Sequence, residues 1–213
     1  MNNIVLRSKD LHEAHNDVLS DDKYGKEYQL IEDVLKKYPN NKTIEDVACK
    51  IAVIDFTNST NLRLYKNKIN LYTLAEIITK VDFDAKVAEG DVSLVSKIIE
   101  DISKECHVKL YSFASKYCCY HNTFLYNRDD YSIYDSVVAS HLHEYATEKL
   151  PASKWIKNFN YETFNQYIGD LLDEYGITAA TEPQRRRLFD HYVWYKNRKS
   201  NNNWDYLIER TAV

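Results

Sequence analysis

The stretch that decides the fold is Asp91-Val92-Ser93-Leu94-Val95-Ser96-Lys97-Ile98-Ile99-Glu100-Asp101-Ile102. Val92, Val95, Ile98, Ile99 and Ile102 recur at helical spacing, and Asp91 after Gly90 is a start signal. The same grammar extends outward in both directions. Leu30, Ile31, Val34 and Leu35 mark a short helix stopped near Pro39. Thr43, with Asp46 three residues later, caps a helix whose stripe is Ile44, Val47, Ala48, Ile51 and Ala52. The Asn-rich stretch from Asn58 to Asn70 predicts a turn. Thr73 with Glu76 predicts a capping box before Leu74, Ile77 and Ile78.

Toward the C-terminus, Leu110, Phe113, Ala114, Tyr117 and Cys118 form one stripe, and Tyr134 to Leu150 another, halted by Pro151. Phe164, Ile168, Leu171, Leu172 and Tyr175 make an amphipathic face closed by Gly176. Thr181 with Pro183 opens a last helix, Leu188 to Tyr195. About eight helices with short links follow, in one all-helical domain spanning 1–213, whose internal boundaries composition does not place. Composition agrees. Four Gly and three Pro in 213 residues are too few for the reversals of a sandwich or barrel.

The net charge of −4 excludes a global field that draws in nucleic acid, so such contact needs a local basic patch. The patch at hand runs from Gln184 to Ser200. Arg185, Arg186, Arg187, Lys196, Arg198 and Lys199 stand against Asp190 alone, +5 net, with Phe189, Tyr192, Trp194 and Tyr195 interleaved. Arginines for phosphates beside aromatics for stacking fit a nucleic-acid surface. A solvated basic face over core aromatics fits equally.

The apolar run near the start, Ile4 to Leu6, is too short for a signal peptide, and no stretch approaches a membrane span. The expectation is a cytoplasmic protein without a membrane partner, its cysteines (Cys49, Cys106, Cys118, Cys119) reduced rather than paired. His141 and His143 point about 200° apart on a helix, and Cys118, Cys119 and His121 lack a second cluster, so no metal or other cofactor is expected.

Eighteen tyrosines suggest a pocket for a planar ligand, with Tyr117, Tyr120 and Tyr134 as candidates. They serve equally as core residues with hydroxyls at the surface. Beside them lies the strongest constellation, Ser112-Phe113-Ala114-Ser115-Lys116-Tyr117-Cys118 followed by Tyr131-Ser132-Ile133-Tyr134-Asp135-Ser136-Val137-Val138. Lys116 sits early on an apolar helix, where a lysine either snorkels or is desolvated. Asp135 reads as the N-cap of the next helix.

These residues, within roughly 90–150, resemble the helix-hairpin-helix DNA glycosylases, in particular the 8-oxoguanine-type branch. That branch carries a lysine early on one helix and an aspartate just before the next. Lys116 and Asp135 are 19 residues apart, a similar separation. The chain departs from the pattern in having no Gly between Gly90 and Gly169, and Lys104 to Tyr111 occupies the place of the hairpin. The resemblance implies a two-lobed helical fold with a cleft, and a base flipped out of DNA into it. It also implies a DNA N-glycosylase or abasic-site lyase in which Lys116 attacks the sugar C1′ and Asp135 assists. Two other readings stand beside it: a helical module that binds nucleic acid or protein without chemistry, and an enzyme acting on a small ligand.

Overall fold

The computed structural model describes residues 4–58, 60–157 and 159–197. About 70% of the described residues are helical, and none of them lies in a strand. The helices are α1 (Ser8–Ser20), α2 (Tyr24–Lys37), α3 (Ile44–Asn58), α4 (Leu71–Lys80), α5 (Phe83–Glu89), α6 (Ser93–Cys106) and α7 (Tyr111–Tyr126). They continue with α8 (Ser136–His141), α9 (Ser153–Ile156), α10 (Tyr161–Glu174) and α11 (Arg185–Asn197).

Several starts follow local chemistry. Thr43 Oγ1 accepts from Asp46 N–H at 3.2 Å, and Asp91 Oδ1 accepts from Ser93 N–H at 3.0 Å, as their side chains predict. The α4 start differs. Asn70 Oδ1 takes Thr73 N–H at 2.9 Å, so the cap stands three residues ahead of Thr73 and the helix opens at Leu71. Gly176 closes α10 with φ 75°, a conformation its lack of Cβ allows. The expected helix from Tyr134 to Leu150 is broken instead. Asp135 caps a six-residue α8, a 3-10 turn follows over Leu142–Tyr145, and the chain then leaves helical geometry before Pro151. α1 and α5 lie outside the stripes read from sequence.

α7 is the axis of the molecule. Every residue from Phe113 to Thr123 is buried, including Ser115, Lys116, His121, Asn122 and Thr123. Helices α2, α3, α5 and α6 pack around it. A single apolar stripe therefore understates its burial, and several of its polar groups bond to neighbouring elements. Tyr117 OH donates to Asn41 Oδ1 at 2.6 Å, and Asn122 Nδ2 to Val87 O at 2.9 Å. α11 packs along α1 and against α8, closing the structure over one end of α7.

Candidate active site

The geometry around Lys116 explains the 19-residue spacing. From Lys116 to Tyr126, α7 rises about 15 Å at 1.5 Å per residue. Asn127 ends the helix in the left-handed region, φ 51°, and an extended segment returns along α7. That segment is held at both ends. Asp130 N–H donates to Asn122 Oδ1 at 3.0 Å, and Ser132 N–H to Asn165 Oδ1 of α10 at 2.7 Å. Tyr134 N–H then donates to Ser115 Oγ at 3.0 Å. The return delivers Asp135 beside Lys116.

The two oxygens of Asp135 divide their work. Oδ1 accepts the N–H groups of Val137 and Val138, each at 3.0 Å, and so caps α8. Oδ2 lies 3.2 Å from Lys116 Nζ. Lys116 is 6% exposed, and its Nζ also donates to Asn58 O at 3.0 Å. The amine is thus held between a carboxylate on one side and the end of α3 on the other.

Both groups line a cavity of about 810 Å³ walled by the start of α2, the end of α3, the turn after it, α7, α8 and α11. Its walls are rich in rings, among them Tyr28, Tyr65, Tyr111, Tyr120, Tyr134 and Trp194. Phe56 stands on its wall with 86% of its surface exposed.

The three candidate tyrosines separate. Tyr120 lines the cavity, its hydroxyl bonded to Asn58 Oδ1 and its ring stacked near Phe124. Tyr134 lines it too, packed edge-on to Tyr111 and Phe164; burial pushes its phenol above the ordinary value. Tyr117 does not reach the cavity. It is fully buried against Phe83 and His121, bonded to Asn41, and serves the core.

The basic patch of α11 is corrected more sharply. Arg185 pairs with Asp173 and donates to Ile177 O at 2.8 Å. Arg186 points inward, giving Nη1 to Ser132 Oγ at 2.9 Å and to Asn165 O at 2.7 Å. A Cβ on Gly169 would meet its Nη2 at 2.6 Å, so the missing side chain makes room for the guanidinium. Arg187 is 3% exposed and pairs with Asp190 at 2.7 Å. These three arginines are engaged by contacts within the protein, with Arg187 on the cavity wall. Lys196 is exposed over the Tyr192 ring, and Arg198 and Lys199 lie outside the described residues.

Asp129 has the remaining part. Its carboxylate accepts the N–H groups of Arg186 and Arg187 at 2.7 and 3.1 Å, supplying from a distant loop the cap that α11 lacks locally. Burial pushes its carboxyl up to about 7, against those two donors, which lower it.

Two further groups complete the site: Arg187, which the sequence offered only as part of the basic patch, and Asp190. The Arg187 guanidinium lies between the rings of Tyr28 and Tyr120, 4.9 Å from each centroid. Asp190 lines the cavity with Asp135. Burial pushes its carboxyl up to about 6; Arg187 and Lys116 oppose the rise and Asp135 adds to it. In sequence Asp190 was visible only as the single acid among the basic residues of α11. Behind it, His191 and His15 join Nδ1 to Nδ1 at 2.8 Å, and burial lowers both. Among the described residues no cluster of three or more His, Cys, Asp or Glu side chains could hold a metal ion. Nor is any helix among them long and apolar enough to cross a membrane.

The profile of one protein family, HI_0787_N (N-terminal domain), matches residues 8–130, more than half of the chain. The chain belongs to the HI_0787_N family. The matched stretch holds α1 to α7 with Lys116 and ends before Asp135. No curated protein and no solved structure matches the chain.

Proposed function

We propose that this HI_0787_N-family protein is a DNA-glycosylase-like base-excision protein that acts through Lys116 with the help of Asp135. The observation that carries the reading is the 3.2 Å approach of Lys116 Nζ to Asp135 Oδ2 on the wall of one ring-lined cavity. A bystander lysine and a simple cap have no reason to share such a space. A volume of about 810 Å³ accommodates a flipped nucleotide, and the rings offer faces for its base. The helices flanking the cavity would act as the two lobes.

The chemistry needs a neutral amine. On an abasic site, Lys116 Nζ adds to the sugar C1′ aldehyde and water departs, leaving an iminium. On an intact nucleotide, the C1′–N bond to Lys116 forms as the bond to the base breaks. Asp135 Oδ2 is the group within reach to take the Nζ proton, which ends on the departing base. Its charge also stabilises the cation that develops on the sugar.

Borohydride trapping on a DNA duplex holding one abasic site tests the reading. Wild type is expected to form a covalent adduct and Lys116→Ala none. Asp135→Asn keeps an N-cap and removes the charge, and is expected to trap at least about 100-fold more slowly. Because it also leaves buried Lys116 without its carboxylate, thermal denaturation run beside the assay separates lost folding from lost chemistry. Asp135→Ala would confuse this by adding a lost cap worth about 0.5–2 kcal/mol. DNA binding without an adduct would favour a module without chemistry, and neither binding nor adduct a small-ligand enzyme.

A further inference from the structure

Three cations from separate elements converge on the cavity. Lys23 precedes α2, Arg63 lies on the 3-10 turn Leu62–Tyr65, and Lys109 lies in the link between α6 and α7. All three are exposed, and none makes an ion pair with a described carboxylate. Exposed Lys37 of α2 and Lys154 of α9 also stand outside the ion pairs among the described residues, so it is their place on the cavity that sets Lys23, Arg63 and Lys109 apart. Lys9, Lys26, Lys36, Lys80, Lys97 and Lys104 each pair with an acid four residues away in the chain. The deep carboxylates do not neutralise the rim, because Asp135 is engaged by Lys116 and Asp190 by Arg187. Glu27 is the remaining acid on the wall.

The chain around Arg63 is cationic and firmly held. Residues 56–75 contain Arg63, Lys66 and Lys68 and no Asp or Glu. Asp55 Oδ1 accepts from Leu62 N–H at 3.1 Å, Leu64 N–H donates to Asn61 O at 3.0 Å, and Ile69 is buried. Asn61 takes the left-handed conformation, φ 59°, which asparagine tolerates. The same stretch begins at the α3 end whose Asn58 carbonyl receives Lys116 Nζ. Basic side chains interleaved with exposed Phe56, Leu64 and Tyr72 form the pattern the sequence seemed to offer in α11, here on the surface.

We propose that Lys23, Arg63 and Lys109 form a phosphate-binding rim that carries the backbone of a DNA strand across the cavity, with one nucleotide turned inward toward Lys116. The inference rests on the proposed function and adds where the backbone is gripped. Contacts of this kind position a strand without reading its sequence, so affinity should depend steeply on salt and little on flanking bases.

The test is fluorescence anisotropy of labelled abasic-site duplex over a salt series, run beside borohydride trapping. The triple variant Lys23→Ala, Arg63→Ala, Lys109→Ala is expected to bind more weakly. Its slope of log affinity against log salt should be shallower than that of wild type by about 2.7, near 0.9 per lost contact. Arg63→Gln alone should lower it by about 0.9. Removing three paired lysines, Lys9, Lys80 and Lys97, should leave the slope unchanged, which separates local contacts from overall charge. Wild type that binds and traps while the rim variants keep its slope would overturn the rim alone. Wild type that neither binds nor traps would overturn the function and the rim with it.

Discussion

Lys50 shows how a buried charge is accommodated away from the candidate site. It is fully buried in α3, and its Nζ donates to Tyr38 O at 3.1 Å and Asn40 O at 2.7 Å, carbonyls on either side of Pro39 in the link after α2. Burial lowers the amine from 10.5 to about 8, with Asp84, Asp46 and Cys49 opposing. Below about 8 the folded protein bears the whole cost of burying the charge. Between 8 and 10.5 the folded amine loses its proton while the unfolded one keeps it, so that cost is relieved, by about 3 kcal/mol in full. Cys106, Cys118 and Cys119, all raised by burial, act the other way as the pH climbs past 9. The difference in unfolding free energy between wild type and Lys50→Met isolates the lysine and should rise in favour of wild type from pH 8 to 10. A flat difference in denaturant titrations would mean that Lys50 is solvated. Nothing in the spacing of residues 44–58 marks Lys50 as internal, because the two carbonyls that receive it belong to the link between α2 and α3. Lys116 and Asp135 were legible for the opposite reason, since a capping aspartate and a lysine in an apolar run are local features.

At the scale of the element, α11 carries the largest difference between composition and structure. Counting charge gives a basic helix, yet Arg185, Arg186 and Arg187 each close a contact with another part of the chain: α10, the returning segment, and the Tyr28–Tyr120 pair. Direction of side chains is a tertiary property, and a run of three arginines on a helix must face three ways. The consequence is measurable as stability rather than as affinity for DNA. Arg187→Ala leaves Asp190 buried without its partner and is expected to cost about 3–5 kcal/mol. Arg185→Ala removes a pair whose Asp173 is half exposed, with side-chain exposure of 53%, and should cost about 1 kcal/mol or less. Thermal denaturation of the two variants checks the order; equal losses would return α11 to the status of a surface helix.

For the whole molecule, periodicity and the scarcity of Gly and Pro sufficed to read an all-helical fold, because each amphipathic stripe is written locally. The short helix α5, the early end of α8 and the break before Pro151 were not, since no amphipathic stripe marks them. The same is true of the site. Its two halves were visible in sequence, whereas Asp190, the Arg187 clamp and the cationic rim depend on α11 and the turn after α3 meeting at one cavity. The proposed function requires that this cavity serve the amine of Lys116. It is tested most directly by reducing the wild-type adduct with an abasic-site duplex, digesting it, and mapping the modified residue by mass spectrometry. Modification at Lys116 is expected. An adduct at Lys109 or Lys23 on the rim, or no adduct at all, would contradict it.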